Sequence, residues 1–361
     1  MDKQKIIQLS PARYSEKKIV ELFGTPKQQE SYAQNGCLAT RSKTSILEKA
    51  SRYCKITDLG NKNYSISKIY KYPLPSKWSL MNKTLYKDLV PLLLHNLING
   101  HDENNAITLT IGKWARELKM INPNYPLIKS NKEDAATLLD MDLDTIFDFY
   151  NKADAAMEYY IINALTFLKN ALCIYWLQVH YVVVEITDNT NTIDENGNIT
   201  PNIRLETRLA SEEEVEYYVR CMEVADNAVH IENISERYYS KKSEEWNRIL
   251  KKELYKRKIK LVYKAYKAYY VHLDRCEYLL EQFDPKTQEK LHTELIEDFT
   301  KHIMENSEKR YKKTPDKYDT SYCEYFASLC DVVINPKTEF LGDSIQYRSS
   351  FPYALDMKGQ K

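Results

Sequence analysis

Among the side chains able to do chemistry, the cations of the first eighty residues are the most unevenly placed. Residues 1–83 contain 16 Lys and Arg against 6 Asp and Glu, a local balance of +10. The whole chain of 361 residues carries +1, so residues 84–361 carry −9. Within the basic stretch, Arg41, Lys43, Thr44, Ser45, Lys49 and Arg52 fall on one side of a helix drawn through them, and Lys62 and Lys68 flank a turn. Cations interspersed with hydroxyls hold phosphates by charge and reach base edges by hydrogen bonding. The chemistry on offer is recognition of a polyanion, and the pattern points to double-stranded DNA.

The residues that would do covalent chemistry are not arranged for it. No P-loop, G-x-G-x-x-G, G-x-S-x-G or H-E-x-x-H occurs, and eight glycines spread singly build no phosphate-cradling loop. The histidines at 95, 101, 180, 230, 272, 292 and 302 never fall at i, i+4 on one helix, and none sits at zinc spacing from a cysteine. His180, in LQVHYVVV, reads as a core histidine. Asp140, Asp142 and Asp144 alternate like calcium ligands, but Thr145 stands where a calcium loop needs glycine, so helix N-terminal acids explain them better. Asp194–Asn198 has the same flavour and reads instead as a hairpin tip. Twenty-nine tyrosines offer nucleophiles everywhere and therefore single out none. No catalytic residue, metal ligand or cofactor is assigned, and a binding protein is favoured over an enzyme.

The cations need a scaffold, and the stretch around them supplies one. Ser15 is placed to cap a short helix with Ile19, Leu22 and Phe23 on its apolar side, stopped by Gly24. Thr25 and Pro26 start a second helix that Gly36 ends. A third is predicted over Ser42–Cys54, with Ile46, Leu47 and Ala50 facing inward. Lys55–Leu59 and Tyr64–Tyr70 then pair as strands about a Gly60–Asn63 tip from which Lys62 projects. Three helices and a hairpin are the order of a winged helix-turn-helix. There, a helix enters the major groove and the hairpin lies along the backbone. Arg41, Lys43, Thr44, Ser45 and Lys49 are the expected base or groove contacts, with Arg52, Lys62 and Lys68 on phosphates. Tyr64, Ile66 and Ile69 would hold the wing to the core.

Tyr72-Pro73-Leu74-Pro75 breaks regular structure and closes a first domain, 1–75. Over 85–210 the pattern gives a leucine-rich helix (Leu85–Asn99), a strand (Ala106–Ile111) and a short helix (Gly112–Met120). Helices at Leu138–Tyr150 and Ala155–Asn170 follow, then strands at Cys173–Ile186 and Ile203–Leu209. That order suggests a second, divergent winged helix over about 106–210, suited to packing or dimerisation rather than base reading. Residues 211–340 read as a helical body, opened by a Ser211–Glu214 capping box, and 341–361 as a loosely ordered tail. Inside the body, residues 241–267 hold 11 Lys and Arg against 3 acids, interleaved with Trp246, Tyr255, Tyr263 and Tyr266. Such interleaving binds nucleic acid in some proteins; the simpler reading is a long surface helix whose tyrosines face the core. The Leu291, Leu295, Phe299, Ile303 stripe is core or a dimer seam. The fold class expected is mainly α with small β-hairpins, α+β.

No apolar run approaches the roughly 20 residues that span a bilayer, and the first residues lack the apolar core of a secretory signal. Seven scattered cysteines with no C-x-x-C fit reduced thiols. The protein is therefore expected to be cytoplasmic, with no membrane partner.

Three segments together, YCKITDLGNKNYSISKIYKYPLP, LTIGKWARELKMINPNY and FYNKADAAMEYYIINALTFLKNALCIYW, resemble uncharacterised proteins of phages, plasmids and other mobile elements of low-GC Gram-positive bacteria. The matching positions are Tyr64, Ile66, Ile69 and Tyr70 in the wing, then Leu118, Met120, Asn122 and Tyr125, within residues 40–180. The resemblance implies DNA binding in a mobile-element setting and transfers no catalytic residue. The function expected is sequence-specific duplex DNA binding of the transcription-regulator type, with a homodimer formed through the helical body. Two alternatives stand beside it: a replication initiator gripping DNA with two winged helices, and a protein-interaction factor that binds no DNA.

Overall fold

The computed structural model of the chain describes residues 9–74, 85–100, 105–193, 199–238, 240–283 and 285–343. Among the described residues helix predominates, and the strands are gathered into two separate sheets, which makes the class α+β.

The first unit is built by its caps. Ser15 ends a strand, β1 (Ala12–Ser15), and its hydroxyl accepts the Lys18 N–H to open α1 (Glu16–Phe23). Thr25 and Gln28 form a reciprocal capping box at the start of α2 (Pro26–Asn35), with Pro26 in its first turn. Gly36 closes that helix in the left-handed region, φ +62°, where a glycine avoids the Cβ penalty. α3 (Thr40–Ala50) stops four residues earlier than its periodicity predicts, because Cys54 is taken into the next strand. β2 (Cys54–Gly60) and β3 (Asn63–Ile69) form the expected hairpin. Its two-residue tip, Asn61-Lys62, has positive φ at both positions, the turn whose twist matches paired strands. β1 pairs on the other side of β3, so the sheet order is β1-β3-β2. Ile19, Val20, Phe23, Ile46, Ala50, Cys54, Tyr64 and Ile66 make its core, with Ile69 packed against them.

The larger body is organised around α4 (Tyr86–Asn99), which is buried nearly all round by Leu89, Val90, Leu92, Leu93, Leu94 and Leu97. β4 (Ala106–Leu109), α5 (Ile111–Glu117), α6 (Asn124–Ser130) and α7 (Lys132–Leu139) follow. Sequence periodicity splits the next stretch into two helices; the structure has one, α8 (Leu143–Asn170), opened by Asp142 accepting the Thr145 N–H. The intervening Asn-Lys-Ala-Asp contains no glycine or proline, and Ala153 is buried within the helix. β5 (Ile174–Ile193) and β6 (Ile199–Leu209) are antiparallel, with the tip between them outside the described residues. α9 (Glu212–Val229) carries the predicted Ser211–Glu214 box.

The basic and aromatic stretch is not one long helix. It divides into α10 (Ser243–Tyr255) and a strand, β7 (Ile259–Tyr270), paired with β4 on one side and β5 on the other. The second sheet therefore runs β4-β7-β5-β6. This corrects two expectations. A unit closed within 106–210 is not formed, since β4 pairs with β7 and not with β5 or β6; and 211–340 contributes the strand next to the first. α11 (Leu273–Leu280), α12 (Gln288–Lys313) and α13 (Tyr322–Val333) complete the body, with Leu291, Leu295, Phe299 and Ile303 of α12 in its core. The predicted tail beyond residue 343 lies outside the described residues.

The residues that carry the mobile-element resemblance in this body are structural. Leu118, Met120 and Tyr125 are buried, and the Asn122 amide donates to the carbonyls of Val332 and Asn335 at 2.9 and 2.8 Å, with Asn124 bonding Glu339 O beside it. They pin the chain's last described segment to α6.

Candidate nucleic-acid interface

α3 buries Ile46 and Ala50 and turns Arg41, Thr44, Ser45 and Glu48 outward, a stripe at i, i+3, i+4 and i+7. Among the described residues Arg41 has no hydrogen-bond or ion-pair partner, while Thr44 donates only to the Thr40 carbonyl of its own helix, 3.1 Å. These three side chains, Arg41, Thr44 and Ser45, are free to meet a ligand.

The other predicted contacts hold the unit together. Lys43 Nζ lies 2.8 Å from Asp58 on β2 and over the Tyr64 ring, tying α3 to the hairpin. The Asp58 carboxylate raises the Lys43 ammonium well above its ordinary pKa, and that ammonium in turn lowers Asp58. Lys49 Nζ donates to the Phe23 carbonyl at the end of α1, 2.8 Å. Arg52 Nε donates to Leu74 O at 2.9 Å, and the Leu74 N–H returns a bond to Arg52 O, fixing the exit of the unit. Lys62 is exposed but does not project freely: its Nζ donates to Gly36 O at 2.7 Å, and its own carbonyl accepts the Glu16 N–H. Lys68 Nζ reaches Gln282 Oε1 of the body at 3.4 Å.

Two further cations were not singled out by the sequence. Arg13 stands opposite Ser65 in β1, and Lys55 opposite Lys68 beyond a bulge, so with Thr57 they occupy the sheet face away from Tyr64 and Ile66. Both are exposed and unpartnered among the described residues. β1 was the missing element; once it is recognised, the alternation of Arg13 with half-buried Tyr14 places the arginine outward. Arg41 thus lies on the α3 stripe and Arg13 and Lys55 on the outer sheet face, while Lys17 on α1 and Lys27 on α2 are also exposed without a partner among the described residues.

Tyr72 OH donates to Asp274 at 2.6 Å, and the Lys71 N–H donates to Tyr278 OH at 3.0 Å, so the unit's exit is seated on α11.

Other places in the molecule offer less. A cleft of about 310 Å³ between α8 and α12 is lined by Lys152, His302, Asn306, Lys309, Arg310 and Lys313, with no carboxylate. It can attract an anion but contains no acid–base pair. Burial keeps His302 below its ordinary pKa, and Tyr160 OH contacts its ring. Among the described residues no group of three or more His, Cys, Asp or Glu side chains converges to hold a metal ion, and no helix is long and apolar enough to cross a membrane.

No protein-family model, curated protein or solved structure matches the chain.

Proposed function

We propose that the chain is a sequence-specific duplex DNA-binding protein of a mobile element, acting in the cytoplasm as a transcription regulator, and that residues 9–74 are a winged helix-turn-helix. The observation that carries the reading is the outward Arg41, Thr44, Ser45 stripe of α3, packed beside a β1-β3-β2 antiparallel sheet in the part of the chain with a +10 balance. Arg41 is the base-reading residue in this proposal, since it is long, free and flanked by hydroxyls. Lys43, Lys49, Arg52 and Lys62 support it by fixing α3 and the hairpin to each other; their charge still adds to the local potential. Arg13, Lys55 and Lys68 supply backbone charge from the sheet side.

An initiator with two gripping units draws no support, because α8, the helix that would read in the second, is buried from Ile146 to Leu168 along one face and its neighbouring strands pair elsewhere.

The test is duplex binding by the full chain across a salt series. Release of about four counterions predicts a roughly hundredfold loss of affinity between 50 and 200 mM salt. Binding that ignores salt, or no binding at low salt, removes the proposal.

A further inference from the structure

β6 ends the second sheet without a partner among the described elements on its outer side. Edge strands are ordinarily blunted by shortness, bulges, proline or inward charge. β4, at the opposite edge, has four residues; β6 has eleven, and its bulge-free stretch 203–209 contains no proline. Ile203, Leu205 and Leu209 on this strand are 54%, 53% and 54% exposed, aliphatic side chains aligned on one face.

The direction of its free main-chain groups follows from one bond. The Ala210 N–H donates to His180 O at 2.9 Å, continuing the β5–β6 register, so Arg204, Glu206, Arg208 and Ala210 turn their amides toward β5. The N–H and C=O groups of Ile203, Leu205, Thr207 and Leu209 therefore point away from the sheet.

We propose that β6 pairs antiparallel with β6 of a second copy of this chain, about a two-fold axis at Thr207, joining two four-stranded sheets into one of eight. Centring at Thr207 places outward amides opposite outward amides and gives about six main-chain hydrogen bonds, two at Thr207 and four between Leu205 and its opposite Leu209. It also sets Glu206 against Arg208 of the other copy and Leu205 against Leu209 on the same face. The neighbouring register, centred on Glu206, would oppose two glutamates, and charge rejects it. Arg208 is held at 2.7 and 2.8 Å by Glu214, and its Nη1 also donates to the Leu209 carbonyl at 3.2 Å, so it is presented in a fixed orientation and leaves that carbonyl its second lone pair for the other copy. This dimer uses the sheet edge and not the helical body, and it does not depend on DNA binding.

The test is the mass of the full chain by light scattering over a concentration series. The wild type is expected at twice the chain mass at micromolar concentration, with amides 203, 205, 207 and 209 exchanging more slowly as dimer forms. Thr207→Pro removes a donor that β5 does not use and should give a monomer with unchanged circular dichroism. Leu205→Lys, which leaves the backbone intact, should raise the dimer dissociation constant at least tenfold. Glu206→Arg, opposing two arginines, should do likewise. A monomeric wild type at 100 μM, or a dimer that survives both Leu205→Lys and Glu206→Arg, overturns the proposal.

Discussion

Two stretches of this chain are comparably basic, and the molecule treats their charge in opposite ways. Between residues 241 and 267, seven of eleven cations sit within 4 Å of a carboxylate: Lys241, Lys242, Arg248, Lys256, Arg257, Lys260 and Lys264. Among the twelve described cations of residues 9–74, only Lys18 and Lys43 do. The first unit satisfies Lys49, Arg52 and Lys62 with carbonyls instead. A carbonyl orients a cation and leaves its charge in place, whereas a carboxylate cancels it. The lesson is that a run of lysines says little until its partners are known, and that the positive field of this protein belongs to the first unit.

The largest effect expected from that contrast lies in the body, where charge is structural. Asp88 is fully buried on α4 and is held by Lys286 Nζ at 2.9 Å, which also contacts Glu294. Replacing Lys286 with alanine removes the hydrogen-bonded partner of a buried carboxylate, leaving it only Lys87 Nζ at 3.6 Å, and should cost about 3 kcal/mol in denaturant unfolding. Burial raises the Asp88 pKa in spite of Lys286. Its folded form thus favours the proton, so this group's contribution is present below the ordinary carboxylate range and is lost as pH rises through the raised value. The Lys286→Ala penalty should accordingly be smaller at pH 4 than at pH 7. A penalty below 1 kcal/mol at pH 7 would show that body charges are as dispensable as surface ones.

In the first unit the corresponding change should spare stability and affect binding. Arg41→Ala with Lys55→Gln is expected to weaken duplex affinity at least tenfold at 100 mM salt and to flatten the salt dependence, with unfolding shifted by less than about 0.5 kcal/mol. Arg41→Ala alone should also relax sequence preference if, as proposed, the arginine on the outward stripe reads bases. Loss of stability without loss of affinity would reverse the assignment of roles.

A smaller effect separates strain from contact at the hairpin. A Cβ on Gly36 would meet nothing within 4 Å, so Gly36→Ala tests only its φ of +62°. About 1 kcal/mol of destabilisation is expected by thermal or denaturant unfolding. A much larger loss would mean that the Lys62 bond to the Gly36 carbonyl couples α2 to the tip more tightly than one hydrogen bond should.

Local chemistry made the first unit readable. Ser15, Thr25 with Pro26, Gly36 and the Gly60–Asn63 tip each write a start or a stop, and the elements fall where those residues put them. The body resisted for physical reasons. β7 has lysines at 260, 264 and 267, a spacing that mimics a helix, and only its non-local pairing with β4 and β5 makes it a strand. Pairing partners 160 residues apart leave no signature in a window of eighteen. The site was legible as charge but not as roles, because whether Lys49 meets DNA or the Phe23 carbonyl depends on where α1 ends in space.

The finest test uses equal charge at unequal places. Lys252 and Lys258 are exposed and form no ion pair within 4 Å among the described residues, although Lys258 is near enough to Glu185 to help lower its pKa. Lys252→Gln with Lys258→Gln removes two positive charges, as Arg41→Ala with Lys55→Gln does. Were affinity set by net charge alone, the two pairs would weaken binding alike, because long-range attraction depends on how much charge is present. A specific interface predicts otherwise: cations beyond a Debye length of about 10 Å from the phosphates at 0.1 M salt are screened and release no counterions. The body pair should therefore change duplex affinity by less than about twofold and leave the salt slope unaltered. A tenfold loss from Lys252 and Lys258 would place the second basic stretch on the DNA, and the contrast between cancelled and uncancelled charge would fail as a guide to where this protein binds.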